Sequence, residues 1–490
     1  MKKVLQTITV CTAAVCFLMF GTGESAYAAP KKVAINEKNF SWFMEREAKD
    51  LDKDRDGYLS ESEAAKMTSL YVSGMKKDID SLKGIEYFTS LRTIEIDAGI
   101  PSYSEDPLAD GHVQSTLSEL DLSKCKKLEK VTVENAYFLE KVNLKGCSKL
   151  QRVYISQAKL KKLNLSGCKN LDEIYCDGEN KLNGTMNLSA LKKLKKVTIR
   201  SNSNLKLNLK GCKKLESLSV GKKIKAINLK GCSKLSDLEI NTDAMKKLTL
   251  SDVKNLKSLR VNSDSIKNMD LSKNTKLEYL SLENLKIARL DLSKQSKLND
   301  LTCEEMQNLS EIDVTKCKKL KYLCIANSGL ANLDVTKNKK LVSLECYKSN
   351  LNEFDVRNNK ELKLLDCSGN KITNFYVGNN INLETLACGE NSFTVLDVTK
   401  NKRLKYLHCD KTGITNLDLT NNDQLKSLSC SETGITSLNL VNNKQLRALK
   451  CVKTGITQLD LSMTKIKKAM TPDSGDGVDC DPNVTVIFAK

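Results

Sequence analysis

The sequence predicts a parallel β-solenoid with two short strands per coil and a small helical cap at its N-terminal end. Three observations predict it: a repeat of about 21 residues, apolar spacings of 3 and 2 inside each repeat, and no proline between Pro107 and Pro472. Counting back from Leu461, positions 440, 419, 398, 377, 356, 335, 314, 292, 271, 250, 229, 209, 188, 165, 144 and 122 are all Leu or Val in a segment of the form apolar-x-Leu/Val. That makes seventeen units. One of them, Leu404 to Gln424, reads LKYLHCDKTGITNLDLTNNDQ, so L-x-x-L-x-C is followed ten residues later by I-x-x-L-x-L. Spacing 2 is strand periodicity, and its double occurrence puts a strand on each of two opposite sides of the coil. Backbone N–H groups must then bond neighbouring coils, which proline cannot do. Seventeen coils at ~4.8 Å per strand give a rod of roughly 80 Å.

A chain of 490 residues would otherwise suggest about three domains of roughly 150 residues. The repeat replaces that with one solenoid and its ends. The expected layout is an export signal over 1–28, a helical cap over 29–90, a first coil with an insertion over 91–119, the solenoid over 120–466, and a C-terminal cap over 467–490. Within that last cap Val484 to Phe488 reads as a closing strand. Apolar residues at 40% and charged residues at 28% exclude a disordered polymer, and two histidines exclude a His-rich metal site.

Lys2 and Lys3, the apolar run Val4 to Phe20, and Ala26-Tyr27-Ala28 have the order of a secretory signal peptide. Nothing after it is apolar for long enough to span a bilayer, and no proline follows a leucine as a sortase-type wall anchor needs. The expected location is extracellular, either free or loosely associated with the cell surface.

Residues 52–63 read DKDRDGYLSESE. Asp52, Asp54 and Asp56 stand at loop positions 1, 3 and 5, Gly57 at the sharp turn, and Glu63 at position 12. Calcium takes six to eight oxygens, and the Tyr58 carbonyl and Ser60 complete the set. The flanks Phe40 to Asp50 and Ser62 to Leu70 look helical. A single such loop implies a structural Ca²⁺, with affinity of roughly 10⁻⁴–10⁻³ M as in extracellular modules.

With these features together, the repeat resembles the bacterial leucine-rich repeat of 21 residues. The order of signal peptide, EF-hand-like helical cap and repeats resembles secreted internalin-like proteins of Gram-positive bacteria. The resemblance implies a leucine-rich-repeat solenoid that binds a partner. It departs from that pattern in lacking an Ig-like domain, wall anchor or cell-wall repeat after the coils.

Six cysteines (Cys125, Cys147, Cys168, Cys212, Cys232, Cys317) fall three residues after the motif Leu/Val, where Asn338 to Asn443 stand in later coils. A short donor in this slot can bond a neighbouring coil's carbonyl. Eight more, including Cys346, Cys367, Cys388, Cys409, Cys430 and Cys451 at 21-residue spacing, take the inward L-x-C position and read as buried free thiols. Cys324 should face outward. His408-Cys409 invites a cysteine-hydrolase reading, but neighbouring strand residues face opposite ways, so the two cannot share a proton. His112 lies in the insertion without an evident nucleophile. The expectation is no enzyme.

The middle residue of L-D-L forms an outward column of Asp and Asn, and six of its nine aspartates have Lys three residues on. Carboxylates about 5 Å apart repel by roughly 0.8 kcal/mol in water, so these lysines are expected to neutralise a structural face. The other face varies: Arg152, Tyr154, Tyr175, Arg260, Tyr279, Asp300, Tyr322, Glu345, Tyr406 and His408 occupy its outward positions. Varied side chains with exposed tyrosines suit recognition. The expected partner is a protein or an anionic cell-surface polymer, the latter drawn by the net charge of +19 and by turn lysines such as Lys126–Lys127, Lys161–Lys162 and Lys339–Lys340. Nucleic acid is not expected, since the basic residues form no stripe. The reading is therefore a secreted, non-catalytic binding or adhesion-type protein. Its rivals are an exported hydrolase with a site in the insertion or caps, and a purely structural surface protein.

Overall fold

Alternating burial builds the molecule. In Tyr279–Glu283 and Asp300–Glu304 every second side chain is buried, as a half-covered sheet requires. The computed structural model describes residues 52–56, 59–73, 80–98, 116–470 and 475–489. Their dominant element is a 20-stranded sheet whose paired strands are all parallel. Each strand pairs with its equivalent in the next coil, leucine on leucine, as in Leu386, Leu407 and Leu428. The result is a parallel β-solenoid of about 17 turns.

All seventeen Leu or Val positions that define the repeat are buried. In one coil the interior holds Leu404, Leu407, Cys409, Ile414, Leu417 and Leu419. Each such leucine contributes about 2 kcal/mol of apolar burial. No coil could bury this set alone, and stacking supplies the cover. The slot three residues after the motif behaves as its chemistry requires. Cys168 Sγ donates to Leu144 O at 3.2 Å, and Asn422 Nδ2 donates to Val398 O and Asn401 O at 3.1 and 3.0 Å.

A second polar ladder, which no motif announced, runs along the corner after the sheet. Asn370, Asn391, Thr412 and Thr433 are buried there. Asn391 Nδ2 donates to Cys367 O and Cys388 O, while Thr412 Oγ1 donates to Cys409 O at 2.8 Å. Just before each ladder residue the chain turns through positive φ, at Asn327, Lys348, Gly369, Glu390, Lys411 and Glu432, with φ between 49° and 67°. The N–H groups at this corner still reach the next coil, as from Glu390 N to Asp410 O at 2.8 Å.

The second strand set differs from expectation. It survives in pieces, Glu119–Asp121 with Lys141–Asn143 and Lys162–Asn164, Arg289–Leu290 with Glu311–Ile312, and Gln458–Asp460 with Thr485–Ile487. Over most coils the central Asp or Asn takes the N–H two residues on, as Asp418 Oδ1 does from Thr420 N at 2.9 Å. The same bond is present where the strand pieces survive, as at Asp121 and Asp460, so it does not by itself break the ladder. In Lys196–Asn208 and Ser217–Asn228 the two strands of a coil run into each other as one.

At the N-terminal end the expected helix over Ser62 to Leu70 is one turn, Glu61–Ala64. The chain then enters Ser69–Ser73, which pairs with Thr93–Asp97 and starts the large sheet inside the segment assigned to the cap. Leu70 and Val72 alternate inward, so the apolar period of 2 overrides helical extension. Phe40 to Asp50, the export signal over 1–28, and most of the insertion with His112 lie outside the described residues. At the far end Gly477–Cys480 pairs with Ala448–Cys451, and Thr485–Ile487 within the expected closing segment pairs with Gln458–Asp460.

Candidate functional site

All ten candidate surface residues sit on the outward side of the large sheet, in two adjacent columns. Arg152, Tyr279, Asp300, Tyr322 and Tyr406 share the column before the buried leucine; Tyr154, Tyr175, Arg260, Glu345 and His408 share the one after it. Strand register brings some together. Tyr154 and Tyr175 stack with centroids 4.5 Å apart and planes 6° from parallel. The Arg260 guanidinium lies 4.3 Å from the Tyr279 ring centroid, a cation–π contact, and Asp300 is the next residue along that column. Burial raises the Asp300 carboxyl above its usual range, with Arg260 opposing. Others stay apart: Arg152 and Tyr406 are separated by twelve strand steps, about 58 Å at ~4.8 Å each. One small ligand cannot touch both ends; a large partner can.

A third outward column, two residues after the second, was not among the positions read from the sequence. It holds Asp177, Arg200, Tyr347 and Asp410. Arg200 Nη1 donates to Asp177 Oδ2 at 2.8 Å, and Tyr175 Oη donates to the same oxygen at 3.3 Å. Tyr347, Lys348, Asp366, Glu390, His408 and Asp410 border a recess of about 320 Å³ over Gly369 and Gly389, three carboxylates against one lysine. The signal that could have located this column is the strand parity continued by two residues.

The opposite column of Asp and Asn is structural: local hydrogen bonds hold its carboxylates most strongly, and the lysines three residues on add their charge at Asp270, Asp291, Asp313 and Asp397. Asp270, Asp291, Asp313, Asp397 and Asp418 each accept the backbone N–H two residues on at 2.8–2.9 Å. In Asp418 the Thr420 hydroxyl, and then this backbone bond, hold the carboxyl below its usual range. The one ion pair in the column is Arg357 with Asp355, at 2.8 Å.

His408 is exposed and Cys409 is buried, on opposite sides of one strand. The Cys409 thiol donates to Ser429 O at 3.4 Å, and burial raises it far above the usual thiol range. The pair cannot act as base and nucleophile.

In the acidic loop over 52–63, Asp52, Asp54 and Glu63 each place a carboxylate oxygen within 4.8 Å of the other two. Glu63 is buried and pinned from both sides, accepting Lys53 N–H on Oε1 at 2.7 Å and Ser60 N–H on Oε2 at 2.9 Å. The Ser60 bond, ahead of the Lys53 bond, holds this carboxyl below its usual range. Oε2 also accepts the Ser60 hydroxyl at 2.8 Å, whereas Oε1 keeps a second lone pair. Asp54 behaves oppositely. Although the Asp56 N–H bond lowers it, desolvation, its bond with Asp52 and the charges of Asp56 and Glu63 together raise it. Three converging carboxylates form a hard, all-oxygen donor set that fits a divalent cation. Asp56 is exposed, Ser60 is buried, and Gly57 and Tyr58 lie outside the described residues.

No protein-family model matches the sequence, and no curated protein matches it either. Solved structures do. The functional domain of InlJ from Listeria monocytogenes, described as including a cysteine ladder, is 22% identical over 90% of this chain and 83% of its own, with a TM-score of 0.54. YopM from Yersinia enterocolitica is 18% identical over 82% and 83%, with a TM-score of 0.55. The plant peptide hormone receptor RGFR1, in complex with RGF2, is 16% identical over 88% and 79%, with a TM-score of 0.50. The fold is a leucine-rich-repeat solenoid. At these identities the likeness shows the fold alone, so what the leucine-rich-repeat face does must come from its side chains. Among the described residues no helix is long and apolar enough to cross a membrane.

Proposed function

We propose that this leucine-rich-repeat chain is an exported, non-catalytic recognition protein that binds another protein on the outward face of its large sheet, and that Ca²⁺ holds its N-terminal end. One observation carries the reading. The sheet face differs from coil to coil and exposes aromatic rings such as Tyr322, whereas the opposite face repeats one Asp or Asn that bonds its own backbone. A face kept uniform by a local bond has a structural task; a face free to vary can carry specificity. Residues 1–28 support export through their charged, apolar and small-residue order.

The test is affinity capture from a surface-protein extract with the full chain, followed by quantitative binding of whatever is captured. Tyr154→Ala/Tyr175→Ala and Tyr322→Ala/Tyr406→Ala are each expected to weaken that binding about tenfold or more, since buried aromatics carry interface energy. Equal binding by both variants would place recognition elsewhere.

The Ca²⁺ reading is tested by melting. Asp52, Asp54, Asp56, Ser60 and Glu63 would hold the ion, with the Tyr58 carbonyl, and it would supply charge neutralisation and cross-linking of the loop. At about 10 mM Ca²⁺ and a Kd of 10⁻⁴–10⁻³ M, the stabilisation is about 1.4–2.7 kcal/mol. The N-terminal transition should rise relative to chelator in the wild type but not in Asp52→Asn/Glu63→Gln. Identical wild-type melts in chelator and Ca²⁺ would remove the ion from the account.

A further inference from the structure

The chain carries +19 overall, yet part of its sheet face has the opposite sign. From the strand Asp237–Thr242 to the strand Tyr406–His408, the first outward column holds Asp237 and Asp300, and the second holds Glu239, Glu345 and Asp366. The third adds Glu283, Glu304 and Asp410. Over the same stretch the three columns contain a single Lys or Arg, Arg260.

None of these carboxylates is ion-paired among the described residues. Their partners inside the chain are neutral donors: Ser219 Oγ to Glu239 at 3.0 Å, Asn262 Nδ2 to Glu283 at 2.8 Å, and Ser429 Oγ to Asp410 at 2.6 Å. Nearer the N-terminal end the same columns are self-neutralised, Glu173 by Arg152 and Asp177 by Arg200. The imbalance therefore belongs to one stretch and not to the sheet in general. Where the strands begin the border is mixed, Lys257, Lys321, Lys363 and Lys405 interspersed with Glu278 and Glu384, and Lys405 is paired to Glu384 at 2.6 Å.

We infer that this stretch docks an extended, arginine- or lysine-rich segment of a partner protein; the inference deepens the recognition role proposed above and rests on it. Charge complementarity is the ground, and the chain shows the contact in miniature. Arg260 lies on the Tyr279 ring with Asp300 adjacent, which is how an incoming guanidinium would be held between aromatic and carboxylate. Three further tyrosines, Tyr322, Tyr347 and Tyr406, stand among the acids and can repeat the arrangement. At the recess over Gly369 and Gly389, Asp366 and Asp410 make their internal hydrogen bonds through Oδ1 alone, which leaves Oδ2 of each for a partner donor. An anionic polymer is repelled by this stretch.

The experiment measures binding of the full chain to a fluorescent peptide of about twelve residues alternating Arg and Gly, with oligoglutamate and sulfated dextran as counter-probes. Saturable binding is expected for the basic peptide, weakening as salt rises from low to physiological. Glu239→Gln/Asp300→Asn/Glu345→Gln should weaken it about tenfold with unchanged melting, since three exposed charge contacts act together. Changing Lys126, Lys127 and Lys161 to Gln should not weaken it. No binding, equal binding by the acidic-site variant, competition by sulfated dextran, or a complex that forms only between copies of this chain would each overturn the inference. If the captured protein is lost in Tyr322→Ala/Tyr406→Ala but kept in the acidic-site variant, recognition stands and the basic-partner inference fails. If both variants keep it, both readings fail.

Discussion

Raising the pH from 8 to 10 is expected to destabilise the protein by several kcal/mol. Cys176 and Cys303 are fully buried in the solenoid interior, and burial pushes each thiol up to about 12 from an ordinary value of 9. A group whose pKa is higher folded than unfolded holds its proton longer in the native state. Its stabilisation is therefore complete below pH 9 and is lost as pH climbs towards 12. Each of these thiols gives up about 1.4 kcal/mol by pH 10, and the pair about 3 kcal/mol. Burial shifts Cys346, Cys367, Cys388, Cys409 and Cys430 in the same direction, so they add to the loss. Denaturant midpoints at pH 8, 9 and 10 are the measurement. Cys176→Ala/Cys303→Ala should be less stable at pH 8 through lost packing, yet should lose about 3 kcal/mol less than the wild type on going to pH 10. A midpoint independent of pH over that interval would mean that the interior admits thiolates.

The inward positions of those cysteines were legible because the repeat forces them: a residue that returns every 21 positions two places after a buried leucine has one environment. The Asn and Cys slot was legible for the same reason, and so was the separation of His408 from Cys409. The corner after the sheet was not. Its positive φ is carried by Lys348, Glu390, Lys411 and Glu432, residues that give no sign of it; only Asn327 and Gly369 have types that favour it. Tertiary stacking overrides local preference there, since the corner N–H must reach the next coil. The lysines of the aspartate column do lower their carboxyls, but the larger share falls to hydrogen bonds from the residue two places on, which a count of charges does not reveal. The acidic stretch was hidden by arithmetic. Net charge sums over turns and faces alike, and the third column becomes visible only when strand register shows that Glu283, Glu304 and Asp410 face the same way as Glu345.

Replacing Asn401 by Asp should be the most damaging isosteric change in the solenoid. Asn401 Nδ2 donates to Val377 O at 3.0 Å and Asn380 O at 2.9 Å, and the side chain is fully buried. An aspartate sets an acceptor against those two carbonyl oxygens, so it must either stay charged without donors or take up one proton in place of two N–H groups. A cost of about 3–5 kcal/mol is expected at neutral pH, as for other uncompensated buried charges. The environment raises the pKa of this carboxyl above its unfolded value, so the deficit shrinks as pH falls and grows as pH rises. Asn401→Leu leaves both carbonyls without donors, but it also removes Asn401 Oδ1, which is buried without a hydrogen-bond partner. The net cost is smaller, about 2 kcal/mol. Asn401→Cys imitates coils that already use a thiol in this slot, where Cys232 reaches Leu209 O at 3.3 Å, and should cost least. Denaturant midpoints of the three variants test the order Asp, then Leu, then Cys. If leucine is tolerated as well as cysteine, the ladder fills space without contributing hydrogen-bond stability, and the alternation of Asn with Cys along the rod needs another cause.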